Sequence, residues 1–279
     1  MFNFRASPLL GLVTKGIGVN IATAMRPVPV RKSMSSTQDF LSTKPIPVEE
    51  RLIVPLDVPS NEEALKLVDL LGDTVRFYKV GLELMMGGKW IELVDELVRR
   101  EKAVMLDVKI FDVPETVRAA VKQAVKQHIR FVTVHMSDEA IKAAVEVKNG
   151  VKILAVTVLT SVNKIDREEF GFECSVEELV LSRAKRALSY GCDGVISSGM
   201  EAAGLRSRFG HQFLIVTPGI RPVDNVEIDD QKRTVDIEEA FHNGADHIVV
   251  GRPIRKAADP RKAAEDIQRR IAKIFSAKQ

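Results

Sequence analysis

Three charged residues lie close together in the stretch Ala103-Val104-Met105-Leu106-Asp107-Val108-Lys109-Ile110-Phe111-Asp112. Read as a strand, this segment alternates faces with period two, so Asp107 and Lys109 point one way and Leu106, Val108 and Ile110 the other. The apolar face suits packing against helices, and the charged face must then look into an enclosed space. An unpaired charge there costs several kcal/mol at least, so partners are required. Asp112 lies just beyond the strand, and Lys79 lies within Phe77-Tyr78-Lys79-Val80-Gly81-Leu82-Glu83-Leu84. Two carboxylates and two ammonium groups can alternate in sign. Such an array is either a structural salt-bridge network or a set of charges held for chemistry. Asp-x-Lys-x-x-Asp at one strand end, with a second lysine on the neighbouring strand, favours chemistry.

An independent signal stands at the other end of the chain, in Val249-Val250-Gly251-Arg252-Pro253-Ile254. Glycine lets a backbone N–H come close to an anion, and arginine adds a forked cation. Together they suit a phosphate.

The elements that must carry these residues repeat one pattern from Arg51 onward: a short apolar run, then a longer helical stretch. The predicted strands are Leu52–Asp57, Phe77–Leu84, Ala103–Ile110, Phe131–Met136, Ile153–Thr160, Gly194–Ser198, Phe213–Ile220 and His247–Ile254. Near-continuous apolar runs indicate strands covered on both faces, as in parallel sheets. Between them, Ser60-Asn61-Glu62-Glu63 reads as a capping box opening a helix over Ala64–Leu71. Trp90–Val98 and Val117–Val125 have helical spacing, and Asp259-Pro260 reads as an N-cap followed by proline at the first helical position of a last helix to about Phe275. Eight strands alternating with helices predict an α/β fold, the (β/α)8 or TIM barrel. A doubly wound sheet would carry a glycine-rich turn after its first strand, and here that strand ends Asp57-Val58-Pro59-Ser60.

In this barrel, active residues gather at the C-terminal ends of strands, and phosphates often bind after strands 7 and 8. Those ends offer Asp57, Lys79, Asp107, Lys109, His135, Thr160, Ser161, Pro218-Gly219-Ile220-Arg221 and Gly251-Arg252. His135 reads equally as a core histidine and as a substrate contact. Met85, Met86 and Trp90 read as packing residues, and Cys192 as structural.

Composition narrows the remaining classes. The 279 residues are 45% hydrophobic and 28% charged, ordinary for a globular protein. The net charge of +3 is a property of the N-terminus: residues 1–38 hold Arg5, Lys15, Arg26, Arg31 and Lys32 and no acid, leaving 36 basic against 38 acidic residues. A near-neutral body argues against a nucleic-acid surface. No apolar run approaches the length of a membrane span. The two cysteines, Cys174 and Cys192, lack metal-ligand spacing and suit reduced thiols. Residues 1–48 are expected to form a basic, acid-poor extension, either disordered or a transit peptide, and 49–279 the barrel. The expected compartment is the cytoplasm, with an organelle as the alternative if residues 1–45 are a transit peptide.

From Leu52 to about Ile254 the chain resembles the orotidine 5'-phosphate decarboxylase family. Leu56-Asp57-Val58-Pro59 resembles the family's first strand, and Tyr78-Lys79-Val80-Gly81-Leu82-Glu83-Leu84 its second. Asp107-Val108-Lys109-Ile110-Phe111-Asp112-Val113-Pro114-Glu115-Thr116 resembles its signature, with Glu115 where asparagine is common. Val132-Thr133-Val134-His135, Thr157-Val158-Leu159-Thr160-Ser161, Val216-Thr217-Pro218-Gly219-Ile220-Arg221-Pro222 and Asp230-Gln231-Lys232-Arg233 also fit, and Gly244-Ala245-Asp246, leading into Gly251-Arg252-Pro253-Ile254, completes the set. The resemblance implies decarboxylation of orotidine 5'-monophosphate to UMP, the last step of de novo pyrimidine biosynthesis, with no metal or organic cofactor. It implies that Lys79, Asp107, Lys109 and Asp112 form a charged tetrad. Lys109 would stabilise and protonate the C6 carbanion. Asp57 and Lys79 would hold the ribose, Thr160 and Pro218 the base, and Gln231, Gly251 and Arg252 the phosphate end, with Arg221 a further substrate-binding residue. Asp112 and Thr116 would reach into a partner subunit's site, which implies a homodimer with shared active sites. Magnesium-dependent sugar-phosphate decarboxylases and synthases of the same superfamily share Asp107-x-Lys109-x-x-Asp112 but carry glutamate on the second strand, where this chain has Lys79. A non-catalytic nucleotide-binding barrel is the other alternative.

Overall fold

The computed structural model describes residues 39–135, 137–159, 171, 173–221 and 234–276. Eight parallel strands close into a barrel in chain order: β1 Leu52–Pro55, β2 Phe77–Gly81, β3 Ala103–Ile110, β4 Phe131–His135, β5 Lys152–Val156, β6 Gly194–Ile196, β7 Leu214–Thr217 and β8 His247–Val249. The pairing of β1 with β8, Ile53 opposite Val249, shuts the ring. The predicted (β/α)8 barrel is therefore the observed one. Around it run α1 Asn61–Leu71, α2 Leu82–Met86, α3 Trp90–Arg99, α4 Pro114–Lys126, α5 Asp138–Glu146, α6 Val176–Ser189, α7 Gly199–Phe209, α8 Ile237–His242, α9 Arg252–Arg255 and α10 Pro260–Ser276.

Local chemistry sets the helix starts. Ser60 Oγ accepts the Glu63 N–H at 3.2 Å, and Asp259 Oδ1 accepts the Lys262 N–H at 3.0 Å ahead of Pro260. The fully reciprocal capping box is at Ser175 and Glu178, opening α6. Two predicted strands end sooner than their apolar runs. β2 stops at Gly81 and β8 at Val249, and the next residues form the short helices α2 and α9. A short apolar run alone does not separate strand from buried helix. The stop at Val249 matters because it puts Arg252 and Arg255 on one helical turn at the barrel's mouth.

Within the ring, side chains from alternate positions fill the interior. At its N-terminal end the His247 ring packs edge-on against Phe77 and Phe131, with centroids at 5.8 and 5.2 Å. Ile53, Met105, Leu154, Val216 and Val249 pack with those rings. Toward the C-terminal ends the same inward series turns polar: Lys79 follows Phe77 by two, Asp107 follows Met105, and Thr133 follows Phe131. The floor of the site is thus a plug of apolar side chains around His247.

Residues 39–48, assigned by composition to the extension, pack against the foot of the barrel. Phe40 and Leu41 are buried. Ser42 Oγ donates to the buried Asp246 carboxylate at 2.5 Å, and Lys44 Nζ reaches it at 3.0 Å. Among the described residues, no helix is long and apolar enough to cross a membrane.

Candidate active site

At the C-terminal mouth of the barrel lies a cavity of about 410 Å3. Its walls differ in character. β1, β2 and β3 contribute Asp57, Lys79, Asp107 and Lys109; β5, β6 and the turn after β7 contribute Val156, Val158, Leu159, Ile196 and Pro218. Arg221, Gly251, Arg252 and Arg255 close a third, basic side. One face suits reacting charge, one an apolar ring face, and one an anion.

The charged wall is a chain of alternating signs. Lys79 Nζ donates to Asp57 Oδ1 at 3.0 Å and lies 3.5 Å from Asp107 Oδ2. Lys109 Nζ donates to Asp107 Oδ1 at 2.9 Å. Burial alone would lower the Lys79 ammonium's pKa, but the Asp107 and Asp57 carboxylates outweigh it and hold that pKa above its ordinary value. Burial alone would raise the Asp107 carboxyl's, but Lys79, Lys109 and a hydrogen bond from Thr133 hold it below the usual range. Both groups therefore stay charged at neutral pH.

Lys109 reaches this wall by a different backbone route from the simple alternation the sequence suggests. The β3–β4 ladder pairs Leu106 with Val132, breaks, and resumes at Ile110 with Val134. Lys109 lies in the break at φ +48°. A bulge, not a flat pleat, delivers its side chain to the cavity.

The sequence-predicted residues divide into three groups. Asp57, Lys79, Asp107, Lys109, Pro218, Arg221, Gly251 and Arg252 line the cavity together. Asp112 and Thr116 are exposed outside it, in the turn after β3 and the first turn of α4. Asp112 Oδ1 accepts the Val113 N–H at 2.7 Å. Thr160 and Gln231 lie outside the described residues. His135 is half-buried and packs edge-on against Phe111 at 5.6 Å, away from the cavity lining. Trp90 and Met85 pack against the core as anticipated, whereas Met86 is 85% exposed, because α2 turns it away from the barrel.

Arg255 and Gly81 were not singled out from the sequence. Arg255 follows Arg252 by three on α9, so both project to one side of that turn. Its guanidinium donates to the Asp57 carbonyl, tying the basic side of the cavity to the charged wall. The signal was the spacing Arg-Pro-Ile-Arg, legible only once that segment is known to be helical. Gly81 leaves the room that Lys79 and Asp57 occupy. Among the described residues, no group of three or more His, Cys, Asp or Glu is arranged to hold a metal ion.

Known proteins match this chain across almost the whole barrel. The profile of the Orotidine 5'-phosphate decarboxylase / HUMPS family matches residues 50–267. The orotidine 5'-phosphate decarboxylase of Methylococcus capsulatus is 56% identical over 239 residues, covering 86% of this chain and 99% of that protein. The enzyme of Stenotrophomonas maltophilia is 46% identical over 242 residues, covering 85% of this chain and 100% of that one. Among solved structures, orotidine 5'-phosphate decarboxylase from Lactobacillus acidophilus superposes with a TM-score of 0.70 at 36% identity, covering 80% of this chain and 99% of that one.

Proposed function

Because the chain belongs to the orotidine 5'-phosphate decarboxylase family and converts orotidine 5'-monophosphate to UMP and CO2, we propose that Lys109 and the carboxylates around it perform the chemical step. The observation that carries this reading is the continuous ion-pair chain Asp57–Lys79–Asp107–Lys109 along one wall of a cavity that has arginines on another.

Breaking the bond from C6 to the carboxylate leaves an electron pair in an sp2 orbital, out of conjugation with the ring carbonyls. A preorganised positive charge is the direct remedy. An ammonium about 3 Å from that carbon contributes on the order of 5 kcal/mol at an effective dielectric of about 20. In this reading Lys109 Nζ supplies that charge and then gives its proton to C6 as CO2 departs, regaining one from solvent afterwards. Asp107 keeps Lys109 placed. Asp57 and Lys79 hold the ribose hydroxyls, Pro218 and its apolar neighbours face the base, and Arg221, Gly251 and Arg252 take the phosphate, with Thr160 and Gln231 completing the base and phosphate contacts. Binding energy from the phosphate then serves a reaction several bonds away.

The reading includes a homodimer in which Asp112 and Thr116 enter the partner's cavity. It is supported by their exposure and by the apolar side chains that flank Asp112 in the chain, Phe111 and Val113, which are 70% and 63% exposed. Apolar rims of this kind mark association surfaces. The enzyme so read acts on a small molecule in the cytoplasm, without nucleic acid, membrane or cofactor. Its test is an assay in EDTA that follows loss of substrate absorbance, run beside Lys109→Ala. Rapid wild-type turnover that the variant loses, with UMP binding kept, is the expected result. No wild-type turnover in EDTA, or near-normal turnover in the variant, contradicts it.

A further inference from the structure

Opposite the break in β3 stands one residue of β4. Met105 pairs with Phe131 and Leu106 with Val132, yet the next pair is Ile110 with Val134. Asp107, Val108 and Lys109 therefore face Thr133 alone. Lys109 holds φ +48°, a conformation that residues with a side chain avoid. In a bulge the extra residue leaves the regular ladder, so its N–H needs another acceptor.

Thr133 supplies that acceptor, and its hydroxyl has a direction. Thr133 Oγ1 accepts the Lys109 N–H at 2.9 Å. Its own single proton is then free for another acceptor. Asp107 Oδ1 lies at 3.0 Å and the Leu106 carbonyl at 3.5 Å, so the shorter, charge-assisted bond to the carboxylate takes the proton. The same Oδ1 accepts from Lys109 Nζ at 2.9 Å. A closed ring results: the Lys109 backbone N–H, the Thr133 hydroxyl, the Asp107 carboxylate and the Lys109 ammonium. One hydroxyl thus ties both ends of Lys109. Thr133 is completely buried, so no solvent water reaches the position to replace it. Nothing about strand packing demands a hydroxyl there. Its neighbours in β4 are Val132 and Val134, and a third valine would fill the same volume.

We propose that Thr133 is a positioning residue for the decarboxylation, its hydroxyl fixing the bulge and the Asp107 carboxylate so that the Lys109 ammonium is aimed into the cavity. The inference rests on the reading of Lys109 as the group acting at C6. It places no requirement on how tightly the nucleotide binds, because Thr133 does not line the cavity.

The experiment compares Thr133→Val, which keeps the shape and removes the hydroxyl, with Thr133→Ser, which keeps the hydroxyl. Each is made in the full chain and assayed for kcat and KM with orotidine 5'-monophosphate, for UMP affinity by calorimetry, and for thermal unfolding. The valine variant is expected to lose about 10- to 100-fold in kcat while KM and UMP affinity stay within about threefold. The serine variant is expected to stay within about threefold of wild type in all three. If valine prevents folding, Thr133→Cys, of similar volume with only a weak donor, takes its place with the same expected loss. A hydroxyl-free variant with wild-type kcat overturns the proposal. So does a serine variant as impaired as valine, which would assign the effect to packing. Lys109→Ala run in parallel separates the two levels: normal turnover there removes the reading beneath, whereas an inactive Lys109→Ala beside an unimpaired Thr133→Val removes this inference alone.

Discussion

The Lys79 ammonium lies beside the bare Cα of Gly81, two residues further along the same strand. A Cβ built on Gly81 would stand 3.2 Å from Lys79 Nζ and 3.6 Å from Asp57 Oδ1. The ion pair that opens the charged wall therefore occupies space that only glycine leaves. Lys79 is flexible enough to yield by a few tenths of an ångström, but only by loosening its 3.0 Å bond to Asp57. Gly81→Ala should fold normally and lose roughly tenfold in kcat/KM, a cost of about 1.4 kcal/mol. Steady-state kinetics with a thermal melt on the same sample decides it; unaltered kinetics would show that the lysine has a second, equally good position.

Arg255 joins the anion-facing side of the cavity to the Asp57 carbonyl, and its Nε is buried without a partner. Arg255→Met keeps the stem and removes the fork. UMP affinity should fall by about 10-fold, and uridine affinity much less, because the missing cation faces the phosphate end. Calorimetric titration of both ligands checks this. Equal losses for the two would assign Arg255 to the ribose side.

Shared active sites predict complementation. Lys109→Ala and Asp112→Ala are each expected to be inactive as homodimers. A mixed dimer recovers one intact site, built from the Lys109 of one chain and the Asp112 of the other. Equal mixing and reassociation should restore about a quarter of wild-type activity, since half the dimers are mixed and each has one good site. Activity that stays at the level of the separate variants would place Asp112 outside the partner's site.

His247 gives the stability a pH dependence of known sign. Burial pushes its imidazole down to about 4 from an ordinary 6.5, and Nδ1 must carry the proton because it bonds the Glu50 carbonyl at 2.9 Å. Between those two values the unfolded chain binds a proton that the folded chain refuses. The contribution is therefore complete above about pH 6.5 and is lost as pH falls toward 4, by about 3 kcal/mol in all. Urea unfolding at several pH values should show this slope, and His247→Leu should flatten it. An unchanged slope in the variant would move its origin to the buried carboxylates.

Asp246 anchors the foot of the barrel away from the chemistry. It accepts from Arg206, whose side chain is as fully buried as its own, at 2.7 Å, and from Ser42 and the Ile215 N–H. Asp246→Ala leaves the Arg206 guanidinium buried without its counter-charge, at a cost of roughly 3–5 kcal/mol. Denaturant titration should show that loss, with kcat per folded molecule unchanged. A loss below about 1 kcal/mol would mean that the carbonyls of Gly244 and Phe213 satisfy Arg206 alone.

The sequence by itself determined the barrel and half of its site. Eight apolar runs alternating with helical stretches admit few other closed architectures, and the strand-end rule then selects Asp57, Lys79, Asp107, Lys109, Gly251 and Arg252 without any coordinates. Those assignments depend on local periodicity, which the chain carries in its order. Tertiary structure decided what depends on two segments meeting. The bulge at Lys109 exists because β3 and β4 fall out of register, and Thr133 acquires a role only by standing opposite that break. Arg255 reaches the cavity because β8 stops at Val249 and Gly251 caps the start of α9, where an apolar run alone reads as more strand. Residues 39–48 look like a tail by composition, yet Phe40, Leu41, Ser42 and Lys44 find Asp246 and its neighbours some two hundred residues away. A pattern of neighbours cannot state such a contact, because its free energy comes from burying groups that are adjacent only in the folded chain.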